Sequence, residues 1–437
     1  MKVTGIVAEY NPFHLGHAYH IRKAREVTEA DSIVVVLGGD FTQRGTPAML
    51  DKYTRAKMAL SCGADLVLEL PVRYACASAE AFASGAVSVL NALGCVDFLS
   101  FGSEGGDTGL LQETAALLDG AAQDTIYQSA LQDALKSGQP FPAARAKALQ
   151  AADRMQDAGR PEEKGQSVSP LRLPDQPNDI LGIEYCRALS RSHSQIRPTT
   201  VKRKGAGYHD SSLHSGFASA SALRKQLLNG ALPRQLSDAF PTQALEIWDT
   251  FLSRSGILEE ADFSAMLHYR LLLLAQDDFM TQGSNPSPLR GYADMTPDLA
   301  DRMINCLDAF TDWNGFCLNL KSRNYTYTRI SRCLAHILLD IRQEDMIHSR
   351  IQGFPAYLRM LGFSEKAAPL LSAIKRKAAL PLLSSLSGAG KKLPPALLPL
   401  LSEEIRASHI YQAAVSQKYG KPFVNEYRRQ IITPASF

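Results

Sequence analysis

Ile6-Val-Ala-Glu-Tyr-Asn-Pro-Phe-His-Leu-Gly-His-Ala-Tyr-His20 is the stretch on which the reading of this chain turns. Val3 to Tyr10 mixes β-branched and small apolar residues as a buried strand does, and Asn11-Pro12 breaks it. Gly16 lets backbone approach a ligand closely, and Ala18 to Thr28 reads as a helix. His14 and His17 therefore fall where a strand runs into a helix N-terminus. The first N–H groups of a helix lack internal partners and carry partial positive charge, so phosphate is the expected guest. Two imidazoles three residues apart can donate hydrogen bonds to phosphate oxygens as negative charge builds during in-line attack, with no covalent intermediate. A histidine pair also fits metal ligation or an ordinary polar helix start, but its place after a buried strand near the N-terminus favours a Rossmann-like nucleotide site.

Outward from this stretch the pattern repeats. Ser32 to Leu37 is an unbroken apolar run, as in a strand buried on both faces of a parallel sheet, and Gly38 to Gly45 follows as a loop at its C-terminal end, carrying Asp40. Asp51 to Cys62 reads as a helix with Lys52, Arg55 and Lys57 on its polar side. Asp65 to Leu70 is a third strand, Ser78 to Leu93 a helix with a Ser cap, and Val96 to Phe101 a fourth strand leading to Gly102-Ser103-Glu104. This alternation predicts an α/β domain with a parallel sheet and right-handed crossovers. Helices are expected from about 107 to 152, with Arg145 in reach of a substrate or on the surface. A mobile polar loop is expected from Asp153 to Pro174, and a helix from Ile180 to Leu189 capped by Pro177-Asn178-Asp179. Ile196 to Lys202 is extended and opens into the basic loop Lys202 to Asp210. Ser219, Ser221 and Arg224 mark another helix start suited to phosphate. From Gln226 onward the chain reads as helical, without a strand of comparable quality.

With 437 residues the chain has room for two or three domains. It contains no apolar run of membrane-spanning length and no signal-peptide head, so a cytoplasmic location is expected. Its seven cysteines are scattered through apolar segments without a CxxC pair and read as core residues. The net charge of +3 is uneven: from Lys321 onward 18 Lys and Arg face 7 Asp and Glu, so this segment carries +11 and the remainder −8. A basic face of this kind suits a polyanion, and Arg323 to Arg329, with Tyr325 and Tyr327 between cations, is the candidate for stacking on RNA.

His14-Leu15-Gly16-His17 resembles the HxGH signature of the nucleotidyltransferase superfamily that includes class I aminoacyl-tRNA synthetases. Together with Gly38-Gly39-Asp40-Phe41, Phe101 to Glu104, Pro177 to Tyr185, Lys202 to Asp210 and Tyr325 to Arg329, it resembles the tRNA(Met) cytidine acetate ligase family along nearly the whole chain. The resemblance implies a Rossmann-like nucleotidyltransferase domain over 1–225, with a helical insertion at about 107–175, and an α-helical, basic, tRNA-binding domain over 226–437. It further implies an enzyme that activates acetate with ATP and Mg²⁺ as acetyl-adenylate and acetylates the wobble cytidine of elongator tRNA(Met) to N4-acetylcytidine. The ATP site it implies comprises Val7, Ala8, Glu9, Tyr10, Asn11, Pro12, Phe13, His14, Leu15, Gly16, His17, Ala18, Tyr19, His20, Gly102, Asn178, Arg203 and Lys204. His14, His17 and Asp40 are the expected catalytic residues. Leu15 and Lys204 depart from the family pattern, the second at a loop expected to meet phosphates. A small-molecule adenylyltransferase and a non-catalytic RNA-binding protein are the alternatives, and the oligomeric state is left open.

Overall fold

The computed structural model describes residues 1–122, 124–137, 139, 141–157, 176–203, 219–280 and 287–436. The first half runs β1 (Val3–Ala8), α1 (Leu15–Thr28), β2 (Ser32–Gly38), α2 (Lys52–Ser61), β3 (Leu66–Leu70), α3 (Val72–Ala75), α4 (Ala79–Ala92), β4 (Phe98–Ser103), α5 (Thr108–Ala121), α6 (Thr125–Lys136), α7 (Phe141–Asp157), α8 (Pro177–Arg191) and β5 (Arg197–Lys202). The second runs α9 (Ala220–Leu228), α10 (Thr242–Arg254), α11 (Ser264–Met280), α12 (Pro297–Asn305), α13 (Trp313–Leu320), α14 (Tyr327–Leu339), α15 (Gln343–Ile351), β6 (Leu358–Phe363), α16 (Ala368–Lys377), β7 (Leu382–Leu383), α17 (Ala389–Lys392) and α18 (Leu398–Tyr419).

The strands form one sheet in the order β5-β4-β1-β2-β3-β6-β7. β1 to β5 are mutually parallel, as the βαβ alternation predicts. From β1 the chain steps one way to β2 and β3, then returns to place β4 and β5 on the other side. The C-terminal end of β1 therefore opens at the topological switch point, the crevice where open α/β sheets bind ligands. β2 is buried along all seven residues, which is why its sequence is continuously apolar.

Three expectations are corrected. The second half does contribute strands: β6 pairs antiparallel with β3 and carries the short β7 beside it. Its sequence, LRMLGF, lacks β-branched residues and contains a charge, so it carried no strand signal. Lys52 and Arg55 are not on a polar face; both are fully buried. α8 begins at Pro177 rather than after it, and α7 continues to Asp157, so residues 153–157 of the expected loop are helical. Residues 158–174 lie outside the described residues.

Buried charge joins the two halves. Lys52 Nζ lies 2.9 Å from Glu426, 3.3 Å from Glu404 and 2.7 Å from Ser408 Oγ, and it also contacts Glu69. Arg359 on β6 reaches Glu69 at 3.0 Å, Glu426 at 2.6 Å and the Tyr53 hydroxyl at 2.9 Å. Burial pushes the Glu426 carboxyl up, but Lys52 and Arg359 outweigh it and hold that group at about 2. Burial and neighbouring Glu69 push Glu404 well above the usual carboxylate range, against the pull of Lys52. Above this cluster, the loop after β2 presses on α14. Gly45 has φ +72°, and a Cβ there would lie 2.3 Å from Arg332 Cα. Both the left-handed backbone and the contact require glycine. Gly45→Ala is expected to cost more than about 2 kcal/mol in a urea melt with unchanged slope; a loss below about 0.5 kcal/mol would show that this contact yields.

Candidate active site at the switch point

The turn from β1 to α1 is built by residues that point inward. Tyr10 (φ +50°) and Phe13 are buried and meet edge to face at 4.8 Å. The Asn11–Pro12 peptide is cis, and the Asn11 side chain accepts the Met49 N–H at 3.0 Å. Behind them Arg55 donates to the carbonyls of Glu9 (2.6 Å), Gly38 (3.0 Å), Gly39 and Leu50 (2.9 Å), joining the ends of β1 and β2. Val7 and Ala8 pack at the strand end, and Ala18 against the core below α1.

His14 is the N-cap of α1, in extended conformation. Its Nδ1 accepts the Gly16 N–H at 3.0 Å, while the His14 N–H donates to His17 Nδ1 at 3.3 Å. Each ring thus spends Nδ1 as an acceptor, so in the neutral imidazole the proton must sit on Nε2. The rings lie 3.8 Å apart at 30°, and Tyr10 packs edge-on to His17 at 4.9 Å. The helix end does not offer these two amides to a ligand directly, as the sequence suggested. It spends them on imidazoles, which leaves Nε2–H as the donor of each ring.

Burial lowers all three histidines of the stretch. His14 is pushed down to about 3, with Arg203 and Arg224 adding to burial; His17 falls well below its ordinary value through burial, His14, Arg203 and His20; His20 is pushed down to about 4 by burial and Arg203. His20 Nε2 lies 3.1 Å from Ser100 Oγ, tying α1 to β4. Tyr19 carries the Arg22 guanidinium 5.5 Å above its ring. Leu15 and Gly16 form the partly exposed first turn of α1.

On the other side of the switch point, Gly102 sits on β4, and a Cβ there would lie 3.5 Å from Arg203 Cγ. The Arg203 N–H donates to Ser103 O at 3.0 Å, which fixes its backbone beside β4. Asn178 is in the first turn of α8 rather than capping it: its amide nitrogen donates to Glu104 Oε1 at 2.5 Å, and the Asp179 N–H donates to Glu104 Oε2 at 3.1 Å. A carboxylate only accepts, so the Asn178 carbonyl oxygen is turned away from Glu104. Asp179 returns the arrangement by accepting from Ser103 Oγ and the amides of Glu104 and Gly105. Lys204 and the rest of the basic loop to Asp210 lie outside the described residues.

Arg224, one turn into α9, donates to Asn11 O at 2.6 Å and to Ser221 Oγ at 3.1 Å. Ser219 caps that helix. The serine-rich helix start marked Arg224 in the sequence, although the apolar residues around it hid its reach to the β1–α1 turn. Glu9 accepts the Gln43 N–H at 2.6 Å, drawing the loop after β2 toward β1. Asp40 is held at the start of α2. It is buried, accepts the Lys52 N–H at 2.9 Å at the start of α2, and stands 4.0 Å from Lys52 Nζ. Burial raises its carboxyl. Arg145, a sequence candidate for substrate contact, is buried against Glu184 at 2.6 Å. Among the described residues no group of three or more His, Cys, Asp or Glu side chains is arranged to hold a metal, and no helix is long and apolar enough to cross a membrane.

Comparison with known proteins agrees with this geometry. The family model for HIGH nucleotidyl transferases matches residues 1–424. The tRNA(Met) cytidine acetate ligases of Acetivibrio thermocellus and Syntrophotalea carbinolica are 35% identical over 437 residues (99% of this chain, 100% of that protein) and 39% identical over 388 residues (89% and 85%). The chain belongs to the tRNA(Met) cytidine acetate ligase family. Thermotoga maritima TmcAL bound with alpha-thio ATP superposes with a TM-score of 0.85 at 31% identity, covering 99% of both chains. The apo form I of Thermotoga maritima TmcAL superposes with a TM-score of 0.87 at 32% identity and the same coverage.

Because the histidines are neutral when folded and ordinary, near 6.5, when unfolded, the unfolded chain binds more protons below that pH. Stability is expected to fall as pH drops from 7 to 5, and His14→Gln is expected to flatten that slope in thermal melts. Nitrogen-15 shifts of His14 and His17 should report neutral Nε2–H tautomers at pH 6. Imidazolium signals there would contradict the assignment.

Proposed function

We propose that this protein activates acetate with ATP and transfers the acetyl group to N4 of the wobble cytidine of elongator tRNA(Met). The observation that carries this reading is the pair His14 and His17 at the switch point, their rings 3.8 Å apart and each Nδ1 taken up as an acceptor, which leaves Nε2 as the donor of each ring. Acetate is a weak nucleophile and the cytidine amine a poor one, so the acid needs a good leaving group. An acetate oxygen attacks the α-phosphorus, the bond to pyrophosphate breaks, and a mixed anhydride with AMP forms. The cytidine N4 then attacks the acetyl carbon, AMP departs with the bonding pair, and the amine loses a proton. The two imidazoles donate to the α-phosphate oxygens as their charge rises, a contribution of about 10²–10³ in rate for a well-placed donor. They are neutral donors, so they stabilise developing charge without binding the ground-state anion as strongly as a cation would.

Arg203 and Arg224 supply the fixed positive charge for the β- and γ-phosphates and for pyrophosphate. Gly102 leaves room above β4 for the nucleoside, and Asn178 offers its carbonyl oxygen to the adenine amine. Mg²⁺ arrives with the triphosphate, needing few protein ligands; Glu9 is an acidic side chain at this edge suited to share it, and the ion supplies neutralisation of phosphate charge. Asp40 acts from behind, by holding the start of α2 so that Arg55 keeps its place. In this reading residues 1–225 carry the chemistry, with the helices at about 107–175 inserted, residues 226–437 hold the tRNA, and the enzyme works in the cytoplasm.

Purified protein with ATP, Mg²⁺ and labelled acetate is expected to label elongator tRNA(Met) and to lose that activity without ATP. His17→Ala should reduce acetate-dependent ATP–pyrophosphate exchange at least 100-fold while the melting curve stays within a few degrees; undiminished exchange would remove the histidines from the mechanism. Exchange without RNA labelling, alongside a new dinucleotide from small-molecule acceptors, would favour the adenylyltransferase alternative. Glu104→Ala frees the Asn178 amide to rotate, and should raise KM for ATP about tenfold and weaken discrimination against GTP. An unchanged ATP-to-GTP ratio would separate Asn178 from the base.

A further inference from the structure

The stretch that the sequence offered for stacking on RNA is used internally. Tyr325 is buried, and its hydroxyl pairs with Thr296 Oγ1 at 2.7 Å; Tyr327 bonds Asn314; Arg329 lies over Tyr325 and donates to Asp294 O. Aromatic surface of the opposite character stands where the segment after α18 folds back on the middle of that helix. Phe423 and Tyr427 are 49% and 55% exposed and flank His409, with ring centroids 5.3 and 6.5 Å from it. A cavity of about 500 Å³ opens beside them, lined by Ile405, Arg406, His409, Ile410, Ala413 and Tyr427 among others.

We propose that His409, Phe423 and Tyr427 form a stacking platform for an unpaired base of the substrate RNA, a proposal that rests on the tRNA reading above and gives it a contact surface. Three observations carry it. The rings are preorganised: His409 Nε2 accepts the Glu426 N–H at 3.1 Å, and Asn425 Oδ1 accepts the Tyr427 N–H at 2.9 Å. Glu426 itself is anchored in the buried cluster with Lys52 and Arg359, so the platform loses little further freedom when a base arrives. The charge is complementary to a polyanion. Between Lys418 and Gln430 the chain carries Lys421, Arg428 and Arg429 besides Lys418, which is paired with Asp262 at 2.9 Å, and the one carboxylate of the segment, Glu426, is buried. Finally, α18 mounts this surface on the nucleotidyl-transfer site. Glu404, five residues before His409, lies so close to the loop after β2 that a Cβ on Gly39 would stand 2.6 Å from its carboxylate. Five residues of helix advance about 7.5 Å and turn about 140°, so the platform stands on another face of α18, about one helix diameter (about 10–12 Å) from the side that meets the loop after β2.

The test uses full-length protein and an elongator tRNA(Met) transcript, with Tyr427→Ala, Phe423→Ala, Tyr427→Trp and Tyr427→Leu. Acetate-dependent ATP–pyrophosphate exchange without RNA is expected to be unchanged in all four, since none touches the ATP site. KM for the transcript should rise about tenfold in each alanine variant, within the range for loss of one base–aromatic stack. Tyr427→Trp should restore it and Tyr427→Leu should not. The salt dependence of transcript binding should keep its slope, because no phosphate contact is removed. Filter retention of the transcript reads the platform even if acetyl transfer itself fails, which separates this proposal from the function it rests on. Unchanged KM and retention in both alanine variants would overturn it, as would rescue by leucine equal to that by tryptophan, or a parallel fall in pyrophosphate exchange.

Discussion

Arg55 is the constraint on which the site depends. Its guanidinium is fully buried and faces four carbonyls, those of Glu9, Gly38, Gly39 and Leu50, in place of a carboxylate at bonding distance. Strand ends at a switch point leave carbonyls that no helix or neighbouring strand can pair, and burying them unpaired costs about 1–3 kcal/mol each. One planar group with fixed donors satisfies the ends of β1 and β2 together, which lysine could not do with the same geometry. It thereby determines the direction in which the chain leaves β1 and enters the histidine turn.

In the proposed reaction the helix polarity at that turn reaches the reacting atoms through side chains. A backbone amide pointed at phosphate is immobile but has one reach; an imidazole bound to that amide through Nδ1 extends it by the width of a ring and keeps its direction. Burial does the rest. It holds His14 and His17 neutral, so they remain donors of one defined hydrogen each. In the same proposal Arg203 and Arg224 supply the full charges, at positions set by β4 and α9.

The second half of the chain is bound to this edge by charge placed where water cannot screen it. Lys52, Glu69, Arg359, Glu404 and Glu426 come from α2, β3, β6, α18 and the segment after α18. Removing one partner would leave the others buried without compensation, a larger penalty than the net worth of the pairs. Such a cluster tolerates little sliding, so surfaces mounted on α18 keep a constant relation to the sheet.

Periodicity and turn chemistry were sufficient to read β1 to β5, the crossover helices and the histidine turn from the sequence, because each is a local pattern of apolar spacing, caps and breakers. His14, His17, Gly102 and Arg203 were placed for the same reason: each lies at the end of an element whose type was clear. What tertiary structure alone decided is where charge goes inside. Lys52, Arg55 and Arg359 look like solvent-facing residues because sequence distance hides their partners; Lys52 and Glu404 are hundreds of positions apart yet meet at 3.3 Å. β6 became a strand only because β3 offered it an edge and Glu69 and Glu426 offered its arginine a counter-charge. Asp40, at a strand end, faces Lys52, and the tyrosines offered for stacking on RNA pack on the helical core. Local pattern specifies an element and its ends; which of its polar groups face water is set by what the rest of the chain brings against it.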